Sequence, residues 1–143
     1  MRAVLVDSNV LLASRDIDSG ERHERAAEIV RGIDHGDLPT AHVTDYVVAE
    51  TLNLMHARGY HDAGAAFYDA LSESAGFEIR RSTKADFTSA VETYRDHDEL
   101  SFVDGVLAAY MRRTDVEYIY TFDGEFAGLD DVTALSSAVD PYA

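Results

Sequence analysis

The sequence contains no cysteine. That absence excludes disulfides, thiolate zinc sites and cysteine nucleophiles together. Tryptophan is also missing, and lysine occurs once, at Lys84. No apolar run approaches the roughly 18 residues that a bilayer-spanning helix needs. The N-terminal run Ala3-Val4-Leu5-Val6 is too short for a signal-peptide core and is broken by Asp7. A cytoplasmic protein with no membrane partner is expected.

Positive charge is scarce. Twelve Lys and Arg stand against 27 Asp and Glu, a formal net charge of -15. The acids are spread along the whole chain. A diffuse acidic surface almost free of lysine matches a protein from very salty cytoplasm, where salt screens the self-repulsion. An ordinary acidic protein is the plainer alternative. Either way the basic patch of a conventional nucleic-acid binder is lacking. Any contact with nucleic acid would have to rest on a local site and not on overall charge.

What is present suits one globular domain, residues 1–143. Hydrophobic residues make up 46% of a 143-residue chain, enough for a core. Residues 1–6 read as a buried strand ending in an acid, and residues 8–14 as a short helix or turn. Residues 16–20 form a polar loop. A helix over 21–33 places Ala26, Ile29, Val30 and Ile33 on one face. A strand over 40–43 leads to a helix capped by Thr44 or Asp45, with Val47, Val48, Leu52 and Met55 inward and Gly59 ending it. Further helices are expected over 61–74, from Ser82 or Thr83 to about His97, and from Ser101 to about Arg113. Strands are expected over 77–80 and 116–122, with a last one within 128–135. This alternation predicts an α/β fold with a mainly parallel sheet.

Four acids stand out. Asp7 and Asp123 follow hydrophobic strands, and the carboxyl ends of parallel strands line the ligand crevice of open sheets. A strand-end Asp can equally be a turn former. Glu50 borders the apolar face of its helix beside Tyr46, Val47 and Leu54, where a carboxylate is costly unless paired or metal-bound. The alternative is a rim glutamate turned to water. Asp104 follows Ser101 by three residues, the spacing of a capping box. That role leaves it free to reach a metal from the helix N-terminus.

With these residues in order, the sequence resembles the PIN-domain nucleases, especially their VapC-type toxin branch. Val6-Asp7-Ser8-Asn9-Val10-Leu11-Leu12 is similar to the family's opening motif. Val47-Val48-Ala49-Glu50-Thr51-Leu52, Leu100-Ser101-Phe102-Val103-Asp104 and Tyr120-Thr121-Phe122-Asp123-Gly124-Glu125-Phe126 resemble the three that follow. The pattern departs at Glu125, where a second Asp is common.

The resemblance implies about five parallel strands flanked by helices. It also implies catalytic, metal-binding roles for Asp7, Glu50, Asp104 and Asp123, with Mg2+ or Mn2+ as cofactor. Hard divalent cations take oxygen ligands, and a bound cation acidifies a water and stabilises charge on a phosphate. Asn9, Ser101 and Thr121, and less so Ser8, are candidates to orient carboxylates or water. Arg112 and Arg113 read as partners of their helix dipole. The six histidines show no metal spacing and are expected at the surface or rim.

The expected activity is endoribonuclease cleavage of RNA by a toxin that dimerises and is neutralised by a small antitoxin. A housekeeping RNA-processing PIN enzyme and a non-catalytic PIN module are alternatives. A receiver-like Mg-binding module would need a late lysine after a strand, and Lys84 follows none. A haloacid-dehalogenase-type phosphatase would want Asp where Asn9 stands.

Overall fold

The computed structural model describes residues 2–143. Its chain alternates strands and helices. The elements are β1 (Ala3–Val6), α1 (Ser8–Arg15), α2 (Glu21–His35), β2 (Thr40–Thr44), α3 (Asp45–Ala57) and α4 (His61–Glu73). They continue with β3 (Phe77–Arg80), α5 (Lys84–Asp96), α6 (Phe102–Thr114), β4 (Tyr118–Tyr120) and β5 (Thr133–Leu135).

The five strands form one sheet in the order β3-β2-β1-β4-β5. Every pairing is parallel. β1 is central and buried throughout, which is why it reads as an unbroken apolar run. The chain builds outward from β1 through β2 to β3, then returns to place β4 on β1's other side. The strand order therefore reverses between β1 and β4. In open α/β sheets the crevice lies at this reversal, beyond the carboxyl ends of the strands. Val4, Leu5, Ile119 and Tyr120 from the sheet, with Val10, Leu11, Leu107 and Met111 from α1 and α6, are fully buried beneath it.

Helix ends follow local chemistry. Thr44 caps α3 by accepting a hydrogen bond from Val47 N. Gly59, at φ +83°, ends it, with Tyr60 N donating to Met55 O at 2.8 Å. Val47 and Met55 are buried, and Val48 and Leu52 are half-buried. α2 runs on to His35, and the loop after α1 contains a single 3-10 turn, Ile17–Ser19.

Two expectations are corrected. β4 spans three residues, not 116–122. Val116 N is spent closing α6 on Met111 O, with Asp115 left-handed at φ 59°. Phe122 N donates to the Asn9 side chain, which ends the ladder. His42, expected at the surface, is 1% exposed. It lies on an interior strand, where Tyr110 Oη contacts its Nδ1 at 2.9 Å. Its Nε2 lies 3.3 Å from Glu78 Oε2, off the line of a hydrogen bond. Burial holds its pKa below the usual histidine value.

Candidate metal centre

Asp7 leaves β1 and caps α1, so one carboxylate oxygen accepts from Ser8 N at 2.8 Å. The other accepts from Thr121 Oγ1 at 2.9 Å and from Asn9 Nδ2 at 3.5 Å. Thr121 also accepts from Asn9 Nδ2 and from Asp123 N, each at 3.1 Å. These bonds tie the end of β1 to the segment after β4. Asp7 is 3% exposed. Burial, then the charge of Asp104, then that of Asp123, push its pKa up to about 7 against the bonds from Thr121 and Ser8.

Asp104 enters from α6. It sits three residues past Ser101 in a complete capping box: Asp104 N donates to Ser101 Oγ at 3.1 Å, and Ser101 N donates to Asp104 Oδ2 at 3.2 Å. It is also buried. Glu50, half-buried on α3, accepts a hydrogen bond from Ser8 Oγ. Ser8 is thus more than a turn residue: its backbone holds Asp7 and its hydroxyl holds Glu50.

The structure brings Asp7, Asp104 and Asp123 into one electrostatic neighbourhood and attaches Glu50 to it through Ser8. Glu125 is a further member that sequence reading left in doubt. Its hydrogen bond with Asp104, some loss of solvent around an otherwise exposed side chain, and the charges of Asp104, Asp123 and Glu99 push its pKa up to about 6. The signal available was its place two residues after Asp123, on the 3-10 turn Gly124–Gly128. Arg112 and Arg113 do not reach this site. They bond Asp131 and Asp86.

The donor set suits a hard divalent cation. Every candidate ligand offers carboxylate oxygen, and a buried carboxylate crowded by like charges gains most from a cation beside it. Among the described residues, no three acidic or histidine side chains close into a cage around one point. Three of the acids are instead held by donors of their own: Asp7 by Ser8 and Thr121, Asp104 by Ser101, Glu50 by Ser8.

The PIN domain family model matches residues 4–132. A search of the curated proteins finds no match by sequence. Among solved structures, the chain is similar to the VapC20 toxin of Mycobacterium tuberculosis, which cleaves the sarcin–ricin loop. That match has 26% identity and a TM-score of 0.76, covering 96% of this chain and 99% of the other. A toxin–antitoxin complex from Klebsiella pneumoniae matches at 19% identity and TM-score 0.63, over 96% and 98% of the two chains. VapBC2 of Rickettsia felis, bound to a promoter DNA fragment, matches at 10% identity and TM-score 0.69, over 93% and 97%.

Proposed function

The chain belongs to the PIN domain family, with VapC toxins among its structural relatives, and on that premise we propose that it is a divalent-metal-dependent endoribonuclease. It acts as a single cytoplasmic PIN domain, as the toxin of a toxin–antitoxin pair, and as a homodimer. The observation that carries the enzymatic reading is Asp7: a buried carboxylate at the strand-order reversal, raised to about 7 by burial and by Asp104 and Asp123. An arrangement this unfavourable without a cation is of the kind found at functional sites. The antitoxin partner is supported by the toxin–antitoxin complexes among the structural relatives.

Asp7, Asp104, Asp123 and Glu50 would hold Mg2+ or Mn2+, with Glu125 at the margin. When bound, such a cation supplies an acidified water and charge stabilisation at the scissile phosphate. The chain's own residues do the positioning. Thr121 and Ser8 N fix both oxygens of Asp7, Asn9 braces Thr121, and Ser101 N fixes Asp104. Carboxylates held this way lose little freedom on binding an ion.

Purified protein is expected to cut RNA in molar salt with Mg2+ or Mn2+ and to stop with chelator. Asp7→Asn should abolish cutting and relieve the growth arrest caused by expression without antitoxin. Equal cleavage with and without chelator would overturn the metal mechanism. Harmless expression of an active enzyme would overturn the toxin role.

A further inference from the structure

A carboxylate crevice on a chain of net charge -15 repels the phosphates of its own substrate. Of the arginines, Arg25, Arg80, Arg112 and Arg113 are each bonded to a carboxylate. Arg15 lies over Phe67, in the groove between α1, α2 and α4. Arg22 differs from all of these. Its guanidinium carbon stands 5.4 Å from the centre of the Phe122 ring. Among the described residues no carboxylate lies within ion-pair distance of it.

Phe122 is the residue between Thr121, which donates to Asp7, and Asp123. Its own N–H donates to Asn9 at 3.2 Å, and Asn9 reaches Asp7. The aromatic seat of Arg22 is therefore built into the hydrogen-bond frame of the acids, and Arg22 itself, in the first turn of α2, is exposed. Attraction to a ring uses the charge of a guanidinium and none of its five N–H donors. The donor fork stays available for bidentate contact with a phosphate.

We propose that Arg22 is a substrate-binding residue that grips an RNA phosphate beside the scissile one, offsetting the repulsion of the acidic surface at the mouth of the site. The inference rests on the nuclease reading above. Phe122 limits the swing of the side chain, so less entropy is lost when the phosphate arrives.

The test measures initial rates on a fluorescent single-stranded RNA with Mn2+, over a range of salt, for wild type, Arg22→Gln, Arg22→Lys and Arg2→Gln. Arg2 precedes β1, at the other end of that strand from Asp7, and controls for net charge. Arg22→Gln is expected to raise KM by roughly tenfold, the loss of one charge-assisted contact, with kcat changed less than about twofold. The slope of log(kcat/KM) against log salt should flatten by about 0.7, as for one lost phosphate contact on a single strand. Arg22→Lys should recover the slope and only part of KM. Arg2→Gln should behave as wild type, and the melting temperature of Arg22→Gln should match wild type. If wild type cuts and Arg22→Gln keeps KM and slope, the inference falls and the nuclease reading stands. A KM effect shared equally by Arg2→Gln would also overturn it. No cutting by wild type overturns the nuclease reading and this inference with it.

Discussion

At the residue scale, Asp7 sets a pH dependence that a surface carboxylate would lack. Its pKa is about 7 in the fold against an ordinary value of 3.8. The folded state therefore binds a proton that the unfolded state has released anywhere between those values. Stability conferred by the protonated form is present below about pH 4 and is lost as pH rises towards 7. His42 works in the opposite direction over part of the same range. Its folded pKa is depressed by burial, so acidification below its unfolded value of 6.5 costs stability. The difference between wild type and Asp7→Asn isolates the carboxylate, because His42 is common to both. In chelator, Asp7→Asn is expected to gain melting temperature relative to wild type as pH goes from 5 to 8, by roughly a few kcal/mol of stability at most. Mn2+ should narrow that gap at pH 8 by binding only wild type tightly. A pH-independent difference between the two proteins would show that Asp7 titrates as an ordinary acid.

At the element scale, α5 and α6 begin with the same device used for different ends. Thr83 and Asp86 form one capping box, Ser101 and Asp104 the other. Both acids are buried. Asp86 is gripped by Arg113, at 2.9 and 3.0 Å, which holds its pKa low despite burial. Asp104 faces Asp7 and Glu125 instead. Asp86→Asn should cost about 2 kcal/mol, as the loss of a charge-assisted pair to a half-exposed arginine, and leave the RNA-cutting site intact. Asp104→Asn should leave metal-free stability unchanged or raised, since it removes a like charge, and should abolish cutting. Paired thermal melts and cleavage assays decide; an Asp104→Asn protein that melts early and still cuts would make Asp104 a cap alone.

The same pair shows what a sequence can carry. Ser101 to Asp104 reads as a cap, and the structure makes it one. The element order and the parallel sheet were also legible, because periodicity and caps are local signals. Partners distant in sequence were not. Arg113 looked like a dipole partner of α6, but its carboxylate comes from α5. His42 looked like a surface histidine because nothing around it in sequence says that β2 is covered on both faces. Val116 looked like strand because a β-branched residue after a helix gives no sign that its N–H closes the helix end. Ser8 and Glu50, 42 residues apart, meet only through the fold.

At the scale of the whole molecule, the charge imbalance should govern stability through salt. Excess negative charge opposes compaction over many weak, long-range pairs. Salt shortens the reach of those pairs from about 10 Å at 0.1 M to about 3 Å at 1 M. Salt also weakens favourable exposed pairs, here Arg25–Glu21, Arg80–Glu78 and Arg112–Asp131, while the buried carboxylate of Asp86 shields its pair with Arg113 from screening. Exposed pairs of this kind contribute little net stability, so relief of repulsion wins. The metal-free melting temperature is expected to rise steeply between 0.1 and 1 M KCl and to level off above that, where the screening length falls below the spacing of surface charges. NaCl should act like KCl. If the gain came instead from exclusion of salt from the surface, sulfate would exceed chloride at equal ionic strength and the rise would continue past 1 M. A melting temperature that is flat or falls between 0.1 and 1 M KCl would show that the acids are balanced locally, and that the net charge of -15 places no demand for salt on the fold.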